Sequence, residues 1–252
     1  MHFLLVNDDG IQSSFLRILA EELTRSGHEV TVSAPAAQQS AKSHAFTIQQ
    51  PVIVHRASFP GAAQAWAVEG TPVDSVRLGL MELCDRPVDL VLSGINCGYN
   101  AGLSTFVSGT IGAAREAAFQ TGKALALSVE ETMTEAEVRS AAAYSVRLAE
   151  NLASAVLPSK CVCSINYPRH WEGQCSKPIV CEISHAMYLD RYERRVSPRG
   201  DEYYWLAPYT GTEVPAPDTD LYHLSRGFAT CSLLTPDGTA GSDGSFLPDL
   251  QE

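Results

Sequence analysis

The chain has no apolar stretch approaching the ~20 residues of a membrane-spanning helix. Its first apolar run is cut short by Asp8 and Asp9, so the sequence does not read as opening with a signal peptide. It is short of basic residues: 18 Lys and Arg stand against 29 Asp and Glu, a net charge of −11. That deficit argues against wide contact with a nucleic-acid polymer or an anionic membrane. It does not forbid a small phosphorylated substrate, provided a cation carries the positive charge. There is no Cys-x-x-Cys pair, and none of the seven cysteines (84, 97, 161, 163, 175, 181, 231) has a histidine at zinc-finger spacing. An odd set of thiols without that patterning is the signature of reduced cysteines in a cytoplasmic protein. The Gly-Lys-Ser/Thr of a P-loop is missing, as are the dinucleotide fingerprint and any internal repeat.

What is present starts at once. Residues 2–10 read HFLLVNDDG: an apolar run that ends abruptly in Asn7, Asp8, Asp9 and Gly10. Apolar positions at Phe15, Leu16, Leu19, Ala20 and Leu23 then predict a helix over 11–23. A short apolar strand running into a helix opens an α/β domain, whose ligands bind beyond the carboxyl ends of the strands. Two adjacent carboxylates at that place repel each other unless a cation sits between them. Asp-Gly also opens hairpins, but no alternating strand follows Gly10.

Strand and helix alternate over the first 130 or so residues. Strands are expected at 29–33, 65–68, 89–93 and 125–128. Thr71-Pro72, with Asp74 behind it, caps one helix; Thr134 with Glu137 caps another that is expected to run to about Leu157. Beyond residue 160 the pattern changes to strands at 162–167, 178–184, 202–206 and 227–234, with a helical stretch near 218–226. The expected fold class is α/β: a Rossmann-like, mostly parallel sheet with helices on both faces, plus a β-rich C-terminal extension. Residues 1–160 form the metal- and phosphate-binding body and 161–252 the β-rich part, within one structural domain overall; self-association is expected from that part.

The second dense segment follows the strand at 89–93. Five glycines fall between positions 94 and 112, and a helix is expected from about Thr110. A glycine-rich loop entering a helix offers main-chain N–H groups to an anion, and Ser108 and Thr110 add hydroxyls. A close-packed strand–helix junction would show the same glycines. Asp8 and Asp9 leave the first strand, Gln38, Gln39 and Ser40 follow the second, and Asn96 follows the strand at 89–93. All lie on one sheet edge and offer oxygen donors. Such a set suits Mg²⁺, Mn²⁺ or Ca²⁺ better than Zn²⁺.

Four motifs, in order and spacing, then carry a resemblance. They are NDDG at 7–10; Ala-Pro followed by Ser40 and Ser43-His44-Ala45-Phe46-Thr47; GTPVDSV at 70–76; and SGIN with SGT-x-x-AA across 93–114. Together they resemble the SurE (survival protein E) family of nucleotidases, over nearly the whole chain. Pro198-Arg199-Gly200, Tyr203-Tyr204-Trp205 and Thr219-Asp220 are similar to its later segments.

The resemblance implies a metal-dependent 5'-nucleotidase. Such an enzyme is a phosphohydrolase acting on nucleoside 5'-monophosphates, in some members on 3'-monophosphates and short polyphosphate. It implies one divalent cation (Mg²⁺ or Mn²⁺) per subunit on Asp8, Asp9, Ser40 and Asn96, with Asp8 and Asp9 also catalytic. The phosphate side would use Asn96, Gly98, Ser108, Gly109 and Thr110. His44 either joins them or merely ends a loop. A homodimer or homotetramer is implied. The alternative is a catalytically silent nucleotide and metal sensor on the same fold. This chain departs from the pattern at Ser13-Ser14-Phe15, Ala41, Val107 and Ser197.

Overall fold

In a computed structural model of the chain, residues 1–157, 160–171, 177–207, 211 and 213–237 are described. Cys175 lies outside them. In chain order the strands are β1 (His2–Val6), β2 (Glu29–Pro35), β3 (Ile53–Arg56), β4 (Gln64–Glu69), β5 (Leu90–Cys97), β6 (Lys123–Val129), β7 (Cys161–Tyr167), β8 (Ile179–Val180), β9 (Tyr192–Val196), β10 (Glu202–Leu206) and β11 (Thr230–Leu234). The helices are α1 (Ser14–Arg25), α2 (Pro72–Leu78), α3 (Gly109–Thr121), α4 (Glu135–Ser154) and α5 (Asp220–Leu224).

The unbroken apolar runs become inner strands because both of their faces are covered. Phe3 and Leu5 of β1 point into one layer, with Leu16, Leu19 and Leu23 of α1 and Val138, Ala142 and Val146 of α4. Leu4 and Val6 point the other way, onto Val76 of α2 and Ile111, Ala114 and Ala118 of α3. The nine-stranded sheet has the order β3-β4-β2-β1-β5-β6-β7-β11-β8. From β4 through β7 every pairing is parallel. β3 and β11 are antiparallel to their inner neighbours β4 and β7. β7, β11 and β8 lie beyond residue 160 in the chain yet extend the same sheet. β9 and β10 form a separate hairpin.

Local chemistry accounts for the boundaries. The first helix starts at Ser14, later than its periodicity suggests. Asn7 holds Gly10 at both its N–H (3.1 Å) and its carbonyl (3.0 Å), and Ser13 then caps the helix by accepting from Leu16 N–H. Thr71 and Thr134 form reciprocal capping boxes with Asp74 and Glu137. α4 ends at Ser154, short of Leu157. β3 escaped the sequence reading because it is a four-residue edge strand, HR-terminated and mostly exposed. Of the stretch 178–184, only β8 pairs regularly, also at an edge.

β5 runs past Ser93 to Cys97, with a register shift between Ser93 and Asn96. Gly94 sits there with φ +132, and a Cβ on it would lie 2.3 Å from the Leu127 carbonyl oxygen. No L side chain fits that conformation or that gap. Gly94→Ala is therefore expected to cost more than about 3 kcal/mol. Urea unfolding checks this; an unchanged midpoint would show that the bend tolerates a side chain.

Candidate active site

Four chain segments converge at the carboxyl end of β1. Asp8 is 4% exposed and Asp9 more open. β5 is the neighbour of β1, with Val6 opposite Ser93, so Asn96 emerges beside the carboxylates. The main-chain N–H of Cys97, one residue on, lies 3.5 Å from Asp9 Oδ2. On the other side, Gln39 N–H donates to the Asp8 carbonyl (2.7 Å), which draws the loop after β2 and its Ser40 to the same strand end. Finally the first turn of α3 abuts Asp8. The Thr110 hydroxyl donates to Asp8 Oδ1. The main-chain N–H groups of Gly109 and Thr110 also stabilise the carboxylate.

Glycine is required for that approach. A Cβ on Gly109 would stand 2.9 Å from Asp8 Cβ and 3.2 Å from the Gln39 carbonyl oxygen. One turn later, a Cβ on Gly112 would stand 1.9 Å from the Ser43 carbonyl oxygen, so the loop through Ser40 lies directly on α3. Ser43 fastens it from its own side, donating from N–H to Val107 O (3.0 Å) and from Oγ to Phe106 O (2.7 Å). Farther along, Thr47 donates to Asp74 from both N–H (2.9 Å) and hydroxyl (2.7 Å). Burial pushes the Asp74 carboxyl up, but the hydrogen bonds from Thr47 and Thr71 outweigh it and hold it below the usual range. The TPVD segment thus anchors the Ser40 loop as well as capping α2.

The expected site residues fall into two groups. Asp8, Asp9, Asn96, Gly109 and Thr110 come together, with Ser40 on the adjoining loop. Asn96 turns its Nδ2 to the Gly98 carbonyl (2.8 Å), which leaves Oδ1 as the atom able to ligate. Gly98 adopts φ +109, and its N–H bonds Val129 O (2.9 Å). Ser40 Oγ accepts from Gln38 Nε2 (3.1 Å).

Ser108 is the N-cap of α3, its Oγ accepting from Ile111 N–H (3.1 Å). That cap uses only a lone pair and leaves the Ser108 O–H able to donate, whereas the Thr110 O–H is committed to Asp8. His44 turns to α3 instead. Its Nε2 lies 3.0 Å from Glu116 Oε2, and its ring stacks on Phe119. Arg77 and Gln120 share the same Glu116. Sequence reasoning treated Asn7 only as part of a motif; its side chain locks the turn that aims Asp8 and Asp9.

The electrostatics are those of a cation site. Burial raises the Asp8 pKa in spite of the Thr110 hydroxyl and the α3 amides. Burial, with repulsion from Asp8 second, raises Asp9 from 3.8 to about 6. Among the described residues no basic side chain relieves either carboxylate. Nor do those residues hold a group of three or more His, Cys, Asp or Glu poised around a metal. The donors that could hold one are two carboxylates, with the neutral oxygens of Asn96 on β5 and Ser40 on the adjoining loop. That set matches a hard divalent ion in charge and in ligand type.

Asp9 binds its proton more tightly folded than unfolded. Its ionisation therefore subtracts stability, progressively, as pH rises from its ordinary 3.8 to about 6. In chelator, Asp9→Asn is expected to be more stable than the parent above about pH 6, by about 1 kcal/mol once solvent screening is allowed for. The advantage should vanish near pH 4. Thermal melts of both proteins across this range test it. A stability difference that ignores pH would refute the burial argument.

The family model for Survival protein SurE matches residues 3–190. A protein of Nitratidesulfovibrio vulgaris (strain Hildenborough) named 5'-nucleotidase SurE is 38% identical over 255 residues, covering 100% of each chain. One of the same name from Synechococcus sp. (strain JA-3-3Ab) is 37% identical over 243 residues, 95% of this chain and 93% of that one. The crystal structure of the SurE protein from Aquifex aeolicus superposes with a TM-score of 0.77 at 28% identity, covering 95% of both chains.

Proposed function

This chain belongs to the SurE family, and from that membership and the strand-end geometry we propose that it is a metal-dependent 5'-nucleotidase. It hydrolyses nucleoside 5'-monophosphates to nucleoside and inorganic phosphate. The observation that carries the metal dependence is the pair Asp8 and Asp9, adjacent and raised in pKa with no basic partner among the described residues. The sensor alternative is not favoured, since full-length relatives bear the nucleotidase name.

One Mg²⁺ or Mn²⁺ per subunit would be held by Asp8, Asp9, Asn96 Oδ1 and Ser40 Oγ. When bound it supplies charge neutralisation and polarises a phosphoryl oxygen. The rest is done by the chain. Thr110 and the α3 amides keep Asp8 oriented. Asn7 fixes the turn beneath both carboxylates. Asp9, the more open of the two carboxylates, is the group suited to take a proton from the attacking water. The phosphate would lie beside Asn96 and the free Ser108 O–H, since the Gly98 N–H is taken by Val129 O and the first α3 amides by Asp8. His44 acts through Glu116 on the placement of the Ser40 loop.

The enzyme works in the cytoplasm in this reading: the described cysteines are free, and among the described residues no helix is long and apolar enough to cross a membrane. It self-associates through the β9–β10 hairpin, whose Tyr192, Tyr204 and Trp205 are 71%, 56% and 60% exposed. Exposed aromatics in such density mark a contact surface.

Phosphate release from a nucleoside 5'-monophosphate is expected to stop on exhaustive chelation and return with Mn²⁺ or Mg²⁺. Asp8→Asn and Asp9→Asn should each lower kcat at least about a hundredfold. Ser40→Ala should lower it about tenfold or less, because water can replace a hydroxyl ligand. Near-normal rates in both Asp variants beside a dead Ser40→Ala would overturn the ligand assignment. Light scattering tests the hairpin separately. The full chain should be at least a dimer at micromolar concentration, and Tyr204→Asp with Trp205→Asp should shift it towards monomer. A monomeric parent would end that idea.

A further inference from the structure

The loop from Asn96 to Ser108 carries a metal ligand at its start and the cap of α3 at its end. Something must fix the path between them. The sheet provides it through a polar row. Asn96 of β5 stands opposite Ser128 of β6, and Ser128 stands opposite Asn166 of β7. All three lie at the carboxyl edge of the sheet, in adjoining strands.

Asn166 is 1% exposed. Its Oδ1 accepts from Asn100 N–H at 2.8 Å, and its Nδ2 donates to the carbonyl of the same residue at 3.1 Å. A carboxamide is chemically a peptide group, so this side chain pairs with the Asn100 main chain as a neighbouring strand would. The Asn100 side chain, itself 6% exposed, completes the tie by donating to Ser128 Oγ at 2.9 Å. Two residues on, Gly102 N–H is held by the buried carboxylate of Asp220 at 2.7 Å. Buried main-chain groups that lose such partners must find others, and the loop would move to do so.

We propose that Asn166 is a positioning residue of the active site: its clamp on Asn100 sets the register of the loop that joins the ligand Asn96 to the start of α3. It touches neither metal nor substrate and acts through the loop. The inference rests on the proposed ligand role of Asn96. Outer partners of a metal ligand commonly govern affinity and rate by about ten- to a hundredfold.

The test uses the full chain. Asn166→Ala is expected to weaken Mn²⁺ binding, measured by calorimetry without nucleotide, by about tenfold. It should lower kcat at saturating Mn²⁺ by a similar factor while KM for the nucleotide moves less. The control is Ser145→Ala, which removes a buried hydrogen bond to Tyr167 on the same strand (2.8 Å) but none to the loop. It should lower the melting temperature and leave the Mn²⁺ affinity unchanged. If Asn166→Ala melts earlier but keeps parental Mn²⁺ affinity and kcat, the side chain serves folding only and the inference is wrong. Should that variant not fold, hydrogen exchange in the parent decides: the clamp requires a strongly protected Asn100 amide, and one that exchanges at the rate of an unstructured peptide overturns it. A parent that binds Mn²⁺ but releases no phosphate would defeat the nucleotidase reading, and the Mn²⁺ comparison would still judge Asn166.

Discussion

Two carboxylates on consecutive residues at the end of a buried strand are the constraint around which this protein is arranged. β1 has helices over both faces, so Asp8 and Asp9 leave it from a dry interior. Burial lifts both pKa values, and for Asp9 mutual repulsion adds to it. An arrangement that costs stability persists where function needs it. The surroundings stabilise Asp8 with a hydroxyl and two helix amides, and hold the turn beneath it with Asn7. They do not supply a counter-charge from the described side chains. In the proposed function a divalent ion would supply it.

Much of the remaining sequence serves to bring polar groups to that point. The small residues of the SGT-x-x-AA run let α3 approach closely: Gly109 admits Asp8, and Gly112 admits the loop that carries Ser40. That loop is bound at three places, to Asp8 by Gln39, to the turn before α3 by Ser43, and to α2 by Thr47 through Asp74. Elements beyond residue 160 contribute too. β7 and α5 hold the loop after Asn96 through Asn166 and Asp220. The C-terminal third is part of the scaffold of the site, besides carrying an exposed hairpin.

Near-continuous apolar runs made the inner strands easy to read, because β1, β2, β5, β6 and β7 are buried on both faces. Capping chemistry made α2 and α4 easy to start, since Thr71-Asp74 and Thr134-Glu137 are local pairs. Edge elements were harder. β3 and β9 are short, mostly exposed and defined by pairing, so little in their own residues marks them, and the strand expected at 178–184 pairs only over β8. The start of α1 was misjudged by three residues because a side-chain lock between Asn7 and Gly10 takes precedence over periodicity.

The sequence by itself determined the α/β class, the strand ends where the candidate ligands stand, and the family, because these follow from local patterns and ordered motifs. The tertiary structure decided which hydroxyls are free. Ser108 and Thr110 look alike as phosphate donors in the sequence, yet Ser108 caps a helix as an acceptor and keeps its O–H, while Thr110 gives its O–H to Asp8. It decided that His44 faces Glu116. It also revealed the Asn166 clamp, 66 residues from its partner Asn100. The Thr110, His44 and Asn166 contacts each depend on where a hydrogen-bonding group meets a partner far along the chain, and such meetings are set by packing of the whole sheet, not by neighbours in sequence.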